Sequence, residues 1–132
     1  MPINEIFIEN IGYNVSVESI EKSITKKTKV IMPVHIAGKA CDIIKIRKLA
    51  HDYDLKIIED CAHAIGTKIN DTHVGNFGDL GCFSFYPTKN MTTIEGGMVI
   101  TNSKKLATKI ITSRNHGFVN NKKFNSKPWI YD

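Results

Sequence analysis

Short apolar runs alternate with amphipathic segments along this chain, and the alternation predicts strands separated by helices. The clearest strand is residues 29–35 (KVIMPVH), whose continuous apolar run is typical of a strand buried on both faces. The remaining apolar runs are short and are bounded by polar or turn-forming residues. The further predicted strands are residues 6–9 (IFIE), 55–59 (LKIIE), 80–85 (LGCFSF) and 98–101 (MVIT).

Three other segments have apolar residues at helical spacing, and each follows a residue that can cap a helix. The first helix begins at Ser16 or Ser19 and runs to about Ile24, and Asp42 and Ser103 cap the other two. Residues 66–74 (GTKINDTHV) predict a hairpin that turns at residues 70 and 71 (Asn-Asp). The positions expected to face the interior are Val17, Ile20 and Ile24, then Ile43, Ile46, Leu49 and Ala50, and finally Leu106, Ile110 and Ile111.

This order of elements predicts an α/β fold with a mostly parallel sheet and flanking helices, joined by right-handed crossovers. Ligands of such sheets bind beyond the carboxyl ends of the strands. Asp60 and Ser84 each lie where a predicted strand ends, and so does His35. We therefore expect these polar groups at corresponding positions along one edge of the sheet.

Composition places the chain among ordinary soluble domains. It has 132 residues, 42% of them hydrophobic and 23% charged, which is enough for one domain with a modest core. No apolar run approaches the roughly 20 residues that cross a bilayer, and the first residues lack the pattern of a secretory signal. The expectation is a cytoplasmic protein without a membrane segment, whose Cys41, Cys61 and Cys82 are free thiols.

The net charge of +5 is concentrated near the carboxyl terminus. No acidic residue occurs between Glu95 and Asp132, and three interpretations of the basic residues in that interval stay open. They can form a solvated helix face and loop, a patch that attracts an anion such as a nucleotide diphosphate, or a nucleic-acid surface. The last is the weakest, because no recognition motif or interleaved aromatic residue accompanies the charge. The basic residues are Lys104, Lys105, Lys109, Arg114, Lys122, Lys123 and Lys127.

The segment from residue 57 to residue 98 brings together an acid, a hydroxyl and an amine. Asp60 and Ser84 end strands, and Lys89 follows in a polar turn with proline, threonine and glycine neighbours. These groups suit a cofactor with a ring nitrogen, a phosphate and an aldehyde, which is pyridoxal phosphate (PLP). Lys89 could form a Schiff base with the aldehyde, and Asp60 could keep the ring nitrogen protonated. Ser84 could donate to the phosphate, and His63 could contact the phenolic oxygen or the ring face.

Each of these residues has a purely structural alternative. A loop lysine is commonly a solvated charge, an aspartate after a strand is often a helix cap, and a lone histidine is often a hydrogen-bonding group of the interior. A metal site is not expected, because Glu59, Asp60, His63 and His73 lack the spacing of known metal motifs. Phosphate-binding glycine loops of the GxGxxG or GxxxxGK[ST] type are absent from the sequence as well.

Three motifs together resemble one known family. The segments EDCAHAIG (residues 59–66), VGNFGDLGCFSFYPTKNMTTIEGGMVIT (74–101) and SRNHG (113–117) resemble the sugar aminotransferases of the DegT/DnrJ/StrS group. Residues 24–43, which contain the PVH turn, resemble that family as well. The resemblance implies a PLP-dependent enzyme of fold type I. Residues 1–132 would then be part of a large, PLP-binding domain like that of aspartate aminotransferase, without its N-terminal part and without the C-terminal small domain.

Carried over by position, Lys89 matches the lysine that bonds to the cofactor, Asp60 the acid on its ring nitrogen, and Ser84 the serine that binds its phosphate. His63 takes the place of the residue beside the phenolic oxygen. Related sugar dehydratases have histidine instead of the lysine, so Lys89 favours transamination.

The resemblance implies a nucleotide-diphosphate keto-sugar as substrate, glutamate as amino donor and a homodimer in the full-length form, with no nucleic-acid or membrane partner. Family members are nearly three times as long, so we expect a fragment that is inactive alone. The alternative is a non-catalytic remnant or interaction module of the same fold.

Overall fold

The computed structural model describes residues 13–114. These residues fall into two units, residues 13–100, which hold the sheet, and residues 101–114, which hold the last helix. The predicted strand at residues 6–9 and the polar segment 122–132 lie outside the described residues. In chain order the elements are helix α1 (Val17–Ser23), strand β1 (Val30–Ile31), a short 3-10 turn (Ile36–Gly38), helix α2 (Ile43–Asp52), strands β2 (Lys56–Asp60), β3 (Lys68–Ile69), β4 (Thr72–His73), β5 (Leu80–Ser84) and β6 (Gly97–Ile100), and helix α3 (Lys104–Arg114).

The main sheet has four strands in the order β1-β2-β5-β6. Strands β1, β2 and β5 are parallel, and β6 runs antiparallel to β5. The expected α/β fold with a mostly parallel sheet is thereby confirmed. Strands β3 and β4 form a separate hairpin that turns at Asn70 and Asp71, whose φ angles of 47° and 64° are the positive values that such a turn requires.

The helices begin where the sequence places their caps. The side chains of Ser16 and Asp42 accept hydrogen bonds from the N–H groups of Ser19 and Lys45, three residues along α1 and α2. The four predicted interior positions of α2 are all buried. Three of them, Ile43, Ile46 and Ala50, pack with Ile31 and Ile57 in a core between α2 and one face of the sheet.

The first strand differs from the expectation. Pairing between β1 and β2 covers only Val30 and Ile31, followed by one isolated bridge from Val34 to Asp60. Proline has no N–H to donate to a ladder, and Pro33 interrupts the run at this point. The prediction of burial on both faces is wrong, because 64% of the surface of Met32 is exposed.

Helix α3 also differs in one respect. Ser103 caps it, since the N–H of Leu106 donates to Ser103 Oγ at 3.3 Å. Leu106 and Ile110 are half-buried, but Ile111 is exposed, so its predicted inward position is wrong. Within residues 13–114 there is no helix of the length and apolarity needed to span a bilayer.

Candidate active site at the carboxyl edge of the sheet

Asp60 and Ser84 end adjacent parallel strands at the same edge of the sheet. Asp60 pairs with Cys82 across β2 and β5, and paired residues of neighbouring strands project to the same face. Ser84 lies two residues beyond Cys82 and therefore projects to that face as well. Glu59 and Ile57 project to the opposite face, where Ile57 packs against α2. The predicted juxtaposition of an acid and a hydroxyl is thus present in the fold.

The Asp60 carboxylate is half-buried and only partly satisfied. Its Oδ1 accepts a hydrogen bond from the N–H of Ala62 at 2.9 Å, and among residues 13–114 its Oδ2 has no donor. The charge of Asp60 reaches its neighbour on β5, because burial and then this charge raise the pKa of the Cys82 thiol. Asp60 therefore presents an oxygen that is available to an external N–H group.

Lys89 lies in the loop of residues 85–96, which joins β5 to β6. The base of this loop is closed by hydrogen bonds from the Phe85 N–H to the Gly96 carbonyl at 2.8 Å and from the Thr93 N–H to the Phe85 carbonyl at 3.1 Å. The Lys89 N–H donates to the Tyr86 carbonyl at 2.9 Å, which turns the chain back directly after Ser84. The Lys89 side chain is half-buried and has no acidic partner within 4.0 Å among residues 13–114.

The same loop contains strained backbone. Ile94 has φ of +71°, a left-handed conformation that a β-branched residue rarely adopts. Such outliers occur where the surrounding structure determines the path of the chain, and they cluster at binding and catalytic sites.

His63 lies in the turn that directly follows β2, and its ring is exposed. The turn packs beside the 3-10 segment, since a Cβ on Gly38 would lie 3.3 Å from the His63 carbonyl oxygen. His63 is thus near the correct edge of the sheet, while its ring has no hydrogen bond to another of the described residues.

His35 follows the end of β1, as predicted, but its ring does not belong to this edge site. The ring is fully buried on the other face of the sheet, where Nε2 lies 3.1 Å from Glu59 Oε2. The expectation that His35 joins Asp60 and Ser84 in one polar edge is therefore wrong. The reason is that the chain turns into the Ile36–Gly38 segment, and the ring pairs with the buried Glu59 carboxylate.

Glu59 is the polar residue of this region that the sequence analysis did not assign. It is fully buried, and its carboxylate accepts hydrogen bonds from three backbone N–H groups in the segment 75–78. A glutamate in a strand ordinarily indicates a solvent-facing position. The motif gave one indirect signal, which is that Glu59 precedes Asp60 on a strand and must face the opposite side from it.

Three buried side chains behind the edge have ligand atoms within 4.8 Å of one another: His35, Glu59 and Cys61. Both Glu59 oxygens already accept hydrogen bonds, and burial followed by the Glu59 charge raises the pKa of the Cys61 thiol to about 12. The Glu59 carboxylate is thus occupied by N–H donors, and the neighbouring Cys61 thiol keeps its proton at neutral pH. Of the other histidines considered in the sequence, His73 accepts from the N–H of Gly66 at 2.8 Å within the hairpin.

The chemistry of the edge fits PLP. A half-buried carboxylate with one oxygen lacking a donor suits a protonated ring nitrogen, and a hydroxyl on the same face suits a phosphate oxygen. The loop that follows supplies an amine without an acidic partner among the described residues. These groups can bind an anionic, aromatic aldehyde and exchange a proton with a bound amine.

The known proteins that match this sequence include several aminotransferases. The pattern of the DegT/DnrJ/EryC1/StrS aminotransferase family matches residues 6–128. The GDP-perosamine synthase of Vibrio cholerae is 47% identical over 117 residues, which cover 89% of this chain and 32% of that protein. The chain thus spans about a third of the length of the curated relatives that it matches.

Solved structures agree with these sequence matches. The aminotransferase from Psychrobacter cryohalolentis superimposes with a TM-score of 0.86 and 36% identity, over 96% of this chain and 34% of that one. The E. coli GDP-4-keto-6-deoxy-D-mannose-3-dehydratase, solved with bound hydrated PLP, superimposes with a TM-score of 0.73 and 28% identity. The match covers 80% of this chain and 27% of the dehydratase.

Proposed function

This chain belongs to the DegT/DnrJ/EryC1/StrS aminotransferase family, as its motifs suggested, and from this premise we propose that it forms the cofactor-binding part of a sugar aminotransferase. Family membership indicates PLP as the cofactor. The proposed substrate is a keto-sugar carried on a nucleoside diphosphate. This substrate class agrees with the GDP-sugar named for the Vibrio cholerae relative.

One observation carries the proposal for this chain. Asp60 and Ser84 project to the same face at the carboxyl ends of adjacent parallel strands, and Lys89 follows in the next loop. This edge is where parallel sheets bind ligands. An acid, a hydroxyl and an amine in this order match the ring nitrogen, the phosphate and the aldehyde of PLP.

We assign Asp60 to the ring nitrogen. Its Oδ2 would accept the N–H of the pyridinium, and its negative charge would keep the proton on that nitrogen. Bound PLP supplies an electron-withdrawing ring that stabilises a negative charge on the substrate carbon. The hydrogen bond from Ala62 to Oδ1 would hold the carboxylate in the orientation that this contact needs.

Ser84, Lys89 and His63 take the other roles. The Ser84 hydroxyl would donate to a phosphate oxygen. Lys89 Nζ would bond to the aldehyde carbon in the resting enzyme and, once released, would remove and return the proton of the substrate carbon. We place His63 beside the phenolic oxygen, because it lies in the turn that directly follows Asp60.

Lys89 favours transamination over dehydration, because a lysine amine can do two things. It can displace the amino group that is bound to the cofactor, and it can move the proton of the substrate carbon. We propose glutamate as the amino donor. We further propose that residues 1–132 belong to a large domain, that the complete enzyme is a cytoplasmic homodimer, and that the isolated chain is inactive.

The glutamate half-reaction tests this proposal. The complete protein that carries this chain is loaded with PLP and mixed with glutamate, and released 2-oxoglutarate is measured. We expect about one equivalent per bound cofactor for the wild type and none for Lys89→Ala. Lys105→Ala is the matched control, because Lys105 is an exposed lysine of α3, and it should match the wild type.

A PLP-loaded wild type that releases no keto acid from any amino acid would overturn the aminotransferase assignment. Release of a different keto acid from a different donor would retain the reaction and replace glutamate. Full yield from Lys89→Ala would remove the proposed role of Lys89.

A further inference from the structure

Four N–H donors converge on the carboxylate of Glu59. Oε1 accepts from the backbone of Phe77 at 2.8 Å and of Gly78 at 2.6 Å. Oε2 accepts from the backbone of Gly75 at 2.8 Å and lies 3.1 Å from His35 Nε2. An ionised carboxylate has about four acceptor positions and no donor, so it can satisfy all four contacts at once.

The environment of His35 fixes which ring nitrogen holds the proton. The N–H of Cys41 donates to His35 Nδ1 at 3.1 Å, so Nδ1 must be an acceptor. The proton is therefore on Nε2, and Nε2 donates to Glu59. Burial opposes the charge of Glu59, yet the hydrogen bonds from His35, Gly75, Gly78 and Phe77 hold the pKa of Glu59 below its usual value of 4.5.

The same two residues hold the end of strand β2. The backbone N–H of His35 donates to the Asp60 carbonyl at 3.0 Å. The ring of His35 binds Glu59, the residue directly before Asp60. On the other side of the strand, the Cys61 N–H donates to the Cys82 carbonyl at 2.8 Å. The peptide group that follows Asp60 is thus held at its carbonyl by the His35 N–H and at its N–H by the Cys82 carbonyl. The residue before Asp60 is held through its side chain, by the contact between Glu59 and the His35 ring.

We propose that Glu59 and His35 form a positioning pair, which holds the end of β2 so that the Asp60 carboxylate meets the ring nitrogen of PLP. The inference rests on the proposed function and adds two residues that do not contact the cofactor. Glu59 acts from the opposite face of the sheet through the backbone of its neighbour. A charged carboxylate is required, because an amide at this position would direct its own NH₂ group at two of the four donors.

The expected effect is on cofactor affinity. Glu59→Gln should raise the dissociation constant for PLP by about tenfold. The amide NH₂ group would leave buried N–H donors without an acceptor, and the end of β2 would shift as they move apart. His35→Leu should have a similar effect, because it leaves Glu59 and the Cys41 N–H without their partner. His35→Gln should bind PLP nearly as the wild type does. Its amide nitrogen can donate to Glu59 and its amide oxygen can accept from Cys41.

A core variant separates positioning from general loss of stability. Ile46 is a fully buried residue of α2 that belongs to the apolar core with Ile31 and Ile57, so Ile46→Ala should lower the melting temperature of the complete protein without changing the PLP dissociation constant. The second readout needs no cofactor. Hydrogen exchange of the peptide that contains residues 75–78 should become faster in Glu59→Gln and His35→Leu, and should stay slow in His35→Gln.

If the wild type binds PLP and Glu59→Gln, His35→Leu and Ile46→Ala all bind it with the same affinity, the positioning role is overturned and the proposed function stays intact. The positioning role is overturned as well if the loss of PLP affinity in the three variants is simply proportional to the fall in their melting temperatures. Failure of the folded wild type to bind PLP would overturn the proposed function and, with it, this inference.

Discussion

At the scale of single residues, strand β2 places two neighbouring carboxylates in opposite environments. Glu59 is buried with four N–H donors, and Asp60 is half-buried with one. The alternation of side chains along a strand separates them, so one acid can stabilise the fold while its neighbour stays available for a ligand. The sequence predicted the role of Asp60 from its position at a strand end. It could not reveal the role of Glu59, because three of its four donors are backbone groups 16 to 19 residues further along the chain.

We predict that Asp60→Asn reduces turnover of the complete enzyme on the order of 100-fold, because a neutral amide no longer holds the proton on the ring nitrogen. Covalent attachment of PLP to the protein should persist in this variant. Asp71→Asn is the control, since Asp71 lies in the hairpin turn and asparagine accepts its φ of 64°. Equal turnover of Asp60→Asn and wild type in a steady-state assay would contradict the role of Asp60.

A second prediction concerns pH. Because the pKa of Glu59 is lower in the folded protein than in the unfolded chain, its ionised form stabilises the fold above the usual pKa of 4.5. That stabilisation is lost as the pH falls through the folded pKa. Near neutral pH, Glu59→Gln should lower the free energy of unfolding by about 3 kcal/mol, because it leaves buried N–H donors unpaired.

Urea unfolding measured between neutral and acid pH checks this expectation. The difference between wild type and Glu59→Gln should shrink below pH 4.5, whereas the exposed Glu95→Gln should differ little from wild type throughout. A difference that stays constant over this range would show that the charge of Glu59 contributes nothing.

At the scale of elements, the segment of residues 75–79 lies between β4 and β5. Its N–H groups bind Glu59, and its last residue, Asp79, accepts from the N–H of Ile57 at 2.9 Å. The segment packs directly on β5, because a Cβ added to Gly81 would clash with the backbone of Gly75. Gly81 therefore permits the backbone contact on which this connection depends.

We predict that Gly81→Ala lowers the free energy of unfolding of the complete protein by about 3 kcal/mol, because an added methyl group must displace backbone atoms. Gly66→Ala is the comparison variant. Its φ is +83° but no atom lies within 4 Å of the added Cβ, so only backbone strain of about 1 kcal/mol is expected. Equal losses in the two variants, measured by chemical denaturation, would indicate that crowding at Gly81 is unimportant.

Local patterns predicted the elements that depend on local physics. The cap and the interior face of α2 follow from Asp42 and from helical spacing, and the β3–β4 hairpin follows from its Asn-Asp turn. The extent of β1 could not be predicted in the same way. Residues 29–35 are uniformly apolar, and the position of Pro33 and the partner strand decide which of them pair.

At the scale of the whole molecule, the described residues leave apolar surface open. The exposed fractions of Met98 and Val99 in β6 are 40% and 44%, and that of Met91 in the loop of residues 85–96 is 54%. Large apolar side chains that stay exposed on an edge strand and in the adjoining loop are typical of surfaces that contact another segment or protein. This agrees with the proposal that the working site needs more protein than residues 1–132.

We predict that isolated residues 1–132 bind PLP at least about 100-fold more weakly than the complete protein, because loss of even two or three polar contacts to a ligand has this magnitude. Fluorescence titration with PLP on both proteins measures the ratio. Equal affinities would mean that the described edge is a complete binding site.

The covalent bond to Lys89 is the most direct test of the account. The complete protein is incubated with PLP, reduced with borohydride and digested, and the modified peptide is identified by mass spectrometry. We predict one modified lysine, Lys89, and no modification of this peptide in Lys89→Arg. A reduced adduct on any other lysine, with Lys89 unmodified, would contradict it.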